Sequence, residues 1–173
     1  MDANSGFVIV VEGCDRTGKT TLCDQLSNFL KWPVVKFSQP KVDAMAEYTE
    51  ALAEHPESFI ADRLHLGESV YGPIYRGTPP VLRSRVLAFE GDLVGRGALL
   101  VLLTDTPLRV RDRFAQLGED FAKPDHVVEI LERFDHEFGF SALSKVRMNM
   151  ATGTQFEKVV VIAAVARYIW EAR

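Results

Sequence analysis

At 173 residues the chain is the size of one domain and long enough to bury a substantial core. It is 47% hydrophobic and 25% charged, an ordinary globular composition, and its formal charge of −4 leaves no basic face to suit a nucleic-acid backbone. Cys14 and Cys23 are the only cysteines, too few and too local for a disulfide framework, which points to the cytosol.

The opening residues 1–6 are polar and acidic, unlike a secretory signal. Phe7, Val8, Ile9, Val10 and Val11 then form an apolar, mostly β-branched run, the pattern of a strand buried in a parallel sheet. It leads through Glu12 into Gly13, Cys14, Asp15, Arg16, Thr17, Gly18, Lys19 and Thr20, which fit G-x-x-x-x-G-K-[ST], followed by Thr21. Residues 20–30 carry Leu22, Leu26, Phe29 and Leu30 at helical spacing. Strand, glycine loop and helix together are the context in which this motif binds phosphate. Glycines let the backbone wrap an anion with its N–H groups turned inward. The following helix adds unpaired N–H groups and the positive end of its dipole. Lys19 is placed to reach the β- and γ-phosphates, and the Thr20 hydroxyl to ligate Mg²⁺. A glycine-rich turn before an ordinary helix is the competing reading.

Trp32 and Pro33 break the chain before a second strand, Val34, Val35, Lys36 and Phe37, with Ser38, Gln39 and Pro40 as its loop. Residues 43–54 read as a helix with Met45, Tyr48, Leu52 and Ala51 on one face. A short third strand, residues 58–61, ends at Asp62 and Arg63. Residues 66–75 are helical in part. Pro79 and Pro80 open a helix over 81–94 with Leu82, Val86, Phe89 and Leu93 as its stripe. Residues 98–103 are a buried strand, after which Thr106 suits an N-cap and Pro107 the first position of a helix over 107–117. Residues 118–123 are a polar break, and a lid segment is expected over about 114–124. A helix from Pro124 to about Phe138 has Val128, Ile130, Leu131 and Phe134 inward. Residues 145–151 alternate like an edge strand, and 156–172 close the chain as a helix. Its apolar run over 159–166 is too short to span a bilayer.

Alternating strands and helices predict an α/β domain with a five-stranded parallel sheet and helices on both faces, a three-layer sandwich. Ligands on such sheets lie at the carboxyl ends of the strands, so the glycine loop, Phe37, Asp62, Arg63 and Thr104 share one rim. Asp62 suits a Mg²⁺ hydration shell or a proton acceptor, with a helix N-cap as the plainer role. Arg63 suits a bidentate clamp on phosphate, or a structural ion pair. Arg16 puts a cation beside the transferring group. Arg109 and Arg113, four apart, share a helix face and form the pair expected at the rim, with Arg111 solvated. Phe37, Tyr71 and Tyr75 suit stacking on a base or sugar, or ordinary packing. The histidines, His55, His65, His126 and His136, lack metal-ligand spacing and read as surface or packing residues.

The stretch from Val10 through Glu12-Gly13-Cys14-Asp15 to Gly18-Lys19-Thr20-Thr21 resembles the thymidylate kinases, which begin strand, E-G-x-D, then G-K-[ST]-T. Asp62-Arg63 with Tyr71 is similar to that family's D-R-Y-x-x-S-x-x-A-Y-Q, although Leu64, Gly67 and Gly72 depart from it. The form here, D-R-x-H-x-G-E-x-V-Y-G, is similar to phage-encoded relatives. The resemblance implies a P-loop nucleotide kinase acting in the cytoplasm, that of the host for a phage enzyme. It implies that Asp15 contacts the acceptor or its phosphate, Arg16 bridges the two nucleotides' phosphates, Arg63 binds the acceptor and Tyr71 lines its sugar. It also implies a subtype with the loop arginine and no basic lid, since Lys123 is the only cation in residues 118–123. Gln39 stands where the family places arginine or glutamate. By analogy the chain forms a homodimer, and its charge and short apolar runs predict no binding to nucleic acid or membrane.

The function expected is ATP- and Mg²⁺-dependent phosphorylation of a deoxynucleoside monophosphate, dTMP or a related pyrimidine nucleotide. Lys19, Arg16, Asp62 and Arg113 form the expected catalytic set. Residues Gly13 to Thr21 are expected at the donor phosphates, and Asp15, Phe37, Arg63, Tyr71 and Tyr75 at the acceptor, with Thr20 and Asp62 at the metal. The alternatives are a deoxynucleoside kinase, whose hydroxyl acceptor needs a carboxylate base, and a nucleotide-binding regulatory module.

Overall fold

The computed structural model describes residues 6–37, 39–118 and 121–172. The expectations for residues 1–5, for Ser38 and for positions 119–120 and 173 fall outside it.

Five strands, β1 (Val8–Gly13), β2 (Val34–Val35), β3 (Phe59–Asp62), β4 (Leu99–Thr104) and β5 (Ser144–Asn149), form one sheet in the order β2-β3-β1-β4-β5. Every pairing is parallel, with Val11 opposite Asp62 and Gly13 opposite Leu103. The helices are α1 (Lys19–Leu30), α2 (Ala44–Ala53), α3 (Leu66–Tyr71), α4 (Arg83–Arg96), α5 (Pro107–Leu117), α6 (Val127–Phe140) and α7 (Gln155–Glu171). A π-helical turn, Gly72–Arg76, continues α3, and a 3₁₀ turn, Pro124–His126, leads into α6.

The alternation of strand side chains divides the core into two. Val8, Val10, Ala61, Leu100 and Leu102 pack with Met45 and Leu52 of α2, Phe89 and Leu93 of α4, Phe114 of α5 and Phe134 of α6. Ile9, Val11, Ile60, Val101 and Leu103 pack with Leu22 and Leu26 of α1 and Val159 and Ile162 of α7. This is why β1 and β4 read as unbroken apolar runs: both of their faces are covered. At its N-terminus, α7 carries a reciprocal cap between Thr154 and Glu157. Thr106 caps α5 ahead of Pro107, as its sequence predicts.

Several boundaries differ from the sequence expectation. β2 ends at Val35 because it is an edge strand paired only with β3. α4 starts at Arg83: Leu82 is extended and 70% exposed, so the helix begins three residues after the proline pair. The inward stripe of α6 is Val127, Ile130, Phe134 and Phe138, which leaves Val128 outside it. Phe29 is half exposed, in a groove beside Phe156 of α7. α5 is helical through Leu117, so residues 114–117 of the segment expected as a lid form the last turn of that helix. No described helix is long and apolar enough to cross a membrane.

Candidate active site

β1 delivers Gly13 to the rim with φ of 143°, and a Cβ there would lie 2.5 Å from the Leu103 carbonyl oxygen, so only glycine lets the loop leave beside β4. The loop then closes on the Cys14 carbonyl, which accepts from Thr17 Oγ1 at 2.7 Å and from Lys19 Nζ at 2.8 Å. Lys19 is thereby folded over the loop, and Gly18, left-handed at φ 93°, turns the chain into α1. The first-turn N–H groups of that helix have no partners within the helix and point at the rim. Burial, and then the neighbouring Arg63, pull the Lys19 ammonium below its ordinary range, with Asp15 opposing. Burial pushes the Cys14 thiol up to about 12, so this loop cysteine is not a nucleophile at neutral pH.

Asp15 is the hub of the loop. One oxygen accepts from Arg63 Nη2 at 2.5 Å and lies 3.5 Å from Lys19 Nζ, while the other accepts from the Ala122 N–H at 3.2 Å. Arg63 sits in a left-handed conformation, φ 73°, with its N–H bonded to the Val11 carbonyl. Burial acts to lower its pKa, but Asp15 and Tyr71 lift it, and the net is upward. The guanidinium is fixed in its charged form with 42% of the side chain exposed to the rim.

Asp62 ends β3 and accepts from Thr20 Oγ1 at 2.9 Å, with Lys36 Nζ at 3.8 Å from the same oxygen. Its other oxygen is buried without a partner among the described residues. A hydroxyl beside a carboxylate with a free, buried oxygen is a hard-oxygen donor set, and it fits Mg²⁺.

Arg113 joins two parts of the rim, donating to the Arg16 carbonyl at 2.9 Å and meeting Asp105 at 2.7 Å. Arg109 also meets Asp105, at 3.1 Å, but Arg113 is the one of the pair that lines the cavity. Arg111 donates to the Pro124 carbonyl. Arg16, left-handed at φ 65°, donates to the Leu117 and Gly118 carbonyls and lies over the Phe114 ring, so it ties the loop to the end of α5. Lys19, Thr20, Thr21, Arg16, Arg63 and Arg113 thus surround one open cavity of about 400 Å³.

The aromatic candidates separate. Phe37 packs edge-on against Tyr48 and His55 and tilted against Phe59, as part of the core. Tyr71 is buried, and burial raises its hydroxyl well above the ordinary range; that hydroxyl has no partner among the described residues. Tyr75 accepts from the Lys123 N–H and faces His126 Nδ1, and its ring meets Phe121.

Sequence reasoning missed the groups beneath the rim. Glu12 is fully buried and accepts from the N–H groups of Leu64 and Leu66, which fixes the turn carrying Arg63. Burial raises its carboxyl, against the lowering influence of His65 and the Leu64 bond. His65 Nε2 meets Glu90 at 2.9 Å with both side chains buried, and Glu90 also accepts from the Ala142 N–H. Burial would raise the Glu90 carboxyl, but His65, Ser141 and Ala142 bond it and the net is downward. Helical spacing carried a signal: Glu90 is four residues from Val86, on the buried stripe of α4.

The SPbeta prophage-derived uncharacterized protein YorR of Bacillus subtilis (strain 168) is 26% identical over 132 residues, spanning 73% of this chain and 79% of YorR. The crystal structure of YorR, solved in complex with phosphorylated GDP, superposes with a TM-score of 0.80 at 19% identity, covering 92% of this chain and 95% of that one. A deoxyadenosine kinase from M. mycoides superposes at 0.62 and 12% identity, covering 94% and 99% of the two chains. A gluconokinase from Sinorhizobium meliloti 1021 does so at 0.63 and 15%, covering 98% and 95%. The fold is that of the P-loop kinases. No family model matches the chain.

Proposed function

We propose that this P-loop kinase fold transfers the γ-phosphoryl group of ATP to the phosphate of a deoxynucleoside monophosphate. One observation carries the choice of acceptor. The carboxylates at the rim have other work: Asp15 is held by Arg63 and Lys19, and Asp62 accepts from Thr20 with one oxygen and keeps the other for Mg²⁺. A nucleoside hydroxyl would need one of them free to take its proton. A monophosphate is already ionised and needs only charge neutralisation and alignment. The side chains around the cavity supply that.

Lys19 and the first turn of α1 take the donor's terminal phosphates, and Arg63 takes the acceptor phosphate from the opposite side. Arg16 and Arg113, joined through the Arg16 carbonyl, stand where charge builds between them. Thr20 and Asp62 would hold Mg²⁺, which supplies further neutralisation of the donor phosphates when bound. The buried Tyr71 hydroxyl, near Arg63 and Asp15, stands beside the acceptor. The thymidylate kinase resemblance favours dTMP or a related pyrimidine nucleotide as acceptor. YorR was solved with phosphorylated GDP, so guanine nucleotides belong on the same panel.

The test is a coupled assay with ATP and Mg²⁺ across the common deoxynucleoside monophosphates and the matching nucleosides. Turnover of at least one monophosphate, with little of any nucleoside, is expected. Turnover of thymidine or another nucleoside in place of every monophosphate would assign a deoxynucleoside kinase, the acceptor class named for the M. mycoides neighbour.

A further inference from the structure

A second cavity, of about 440 Å³, opens beyond α3 at the carboxyl end of β2. Its size is within the roughly 300–1,000 Å³ usual for small-molecule pockets. It is bounded by the loop after β2, by α3 and by the segment after the π-helical turn. Arg63, which lines the phosphate cavity, lies on the turn between β3 and α3, and Glu68 of this cavity lies in the first turn of α3. α3 thus links the two cavities, and an acceptor held by its phosphate on Arg63 would place its nucleoside in this one.

The polar groups here form an ordered row. Tyr48 donates its hydroxyl to Glu68 Oε1 at 3.1 Å, and Arg76 Nη2 donates to Glu68 Oε2 at 2.5 Å. Both members of the ion pair are largely buried, with 15% of the Glu68 side chain and 20% of the Arg76 side chain exposed. An ionised carboxylate has about four acceptor sites, so each oxygen keeps one after these bonds. Arg76 keeps unused N–H donors on its fork. By its bonding the row reads acceptor, acceptor, donor (Oε1, Oε2 and then the guanidinium), and both residues line the cavity.

The thymidylate-kinase pattern has glutamine where this chain has Gly72. A side chain there would have to displace its neighbours. A Cβ at Gly72 would lie 2.6 Å from Thr78 Oγ1 and 3.4 Å from Arg76 Nη2. The space that pattern gives to an amide is taken here by Thr78 and the Arg76 fork.

We propose that Glu68 and Arg76 read the base of the acceptor, and that the base is guanine. This rests on the monophosphate-kinase reading and replaces its pyrimidine expectation. Guanine presents N2–H, N1–H and the O6 carbonyl in sequence, a donor, donor, acceptor edge that matches all three positions. Thymine puts a carbonyl against one carboxylate oxygen, and cytosine and adenine put an unprotonated ring nitrogen against the other. Each mismatch sets two acceptors face to face and leaves a buried carboxylate lone pair unmet.

Calorimetric titration of the wild-type protein with dGMP, dIMP, dTMP, dCMP and dAMP tests this without relying on turnover. The nucleotide dIMP lacks only the N2 amino group. We expect dGMP to bind tightest, dIMP several-fold weaker, and the others weaker than dGMP by roughly ten- to hundred-fold. In Glu68→Ala, with folding checked by circular dichroism, the gap between dGMP and dIMP should close. Equal binding of dGMP and dIMP by the wild type, or a preference for dTMP, overturns the guanine assignment. If dTMP is also the monophosphate phosphorylated, the kinase reading survives that loss. If dGMP binds in the predicted order but no monophosphate is phosphorylated, the base assignment stands and the kinase reading fails.

Discussion

The rim has two ends built on different principles. The phosphate end lies over the buried centre of the sheet, on β1 and its neighbours β3 and β4. Its cations are locked by short contacts to carbonyls and to Asp15. The base end hangs on β2, a two-residue edge strand, and on irregular segments around residues 39–43 and 76–82. One end is preorganised for a charge that every nucleotide carries. The other is free to vary without disturbing the sheet, and it is where this chain leaves the thymidylate-kinase pattern.

Breaking the phosphate end should have the largest effect. Lys19→Ala is expected to cut kcat by roughly 10²–10³-fold while the far-UV dichroism stays native, because the removed group acts on the transferring charge. Near-normal turnover would remove Lys19 from the mechanism. Asp62→Asn should weaken the apparent Mg²⁺ affinity by about 10–100-fold, read from the Mg²⁺ dependence of rate, with the acceptor KM little changed. A variant whose defect no excess of Mg²⁺ relieves would argue that Asp62 does something else.

Tyr75→Phe sharpens the comparison from the other side. It deletes the hydroxyl that holds the Lys123 N–H, a net loss of about 1 kcal/mol, so a several-fold rise in acceptor KM with kcat nearly intact is expected. An equal fall in kcat would place Tyr75 with the phosphate end. The smallest effect is a pH dependence beneath both ends. Burial raises the folded-state pKa of Glu12 above its ordinary 4.5. Stability from that carboxyl is therefore fully present below its unfolded pKa and is lost as pH rises through its folded value. Glu12→Gln should be most destabilising near pH 4 and progressively less so towards pH 7, measured as Tm against wild type. A gap in Tm that widens with pH would reverse the sign.

The sheet and the glycine loop were legible in the sequence because both are local signals. Val8 to Val11 are buried on both faces, and the loop's spacing is contiguous. What was not legible depends on partners far apart in the chain. Glu90 stands on the buried stripe of α4, but its partner His65, 25 positions away, shows only once α4 is laid against it. Glu68 and Arg76 form a pair only because the chain takes a π-helical turn between them, which no periodicity announces. Phe37 reads equally well as a ligand platform or as packing; its ring lies against Tyr48 and Phe59.

Under the proposed function, with a donor at Lys19 and an acceptor at Arg63, Asp15 would make the two substrates thermodynamically interdependent. A single carboxylate balances Lys19 against Arg63, and also holds the Ala122 amide. When an incoming phosphate draws on Arg63, the share of negative charge left for Lys19 grows, and the reverse holds for a donor. Each nucleotide must then change the affinity for the other by the same factor, so donor and acceptor titrations of this protein should be read as one linked surface rather than two isotherms.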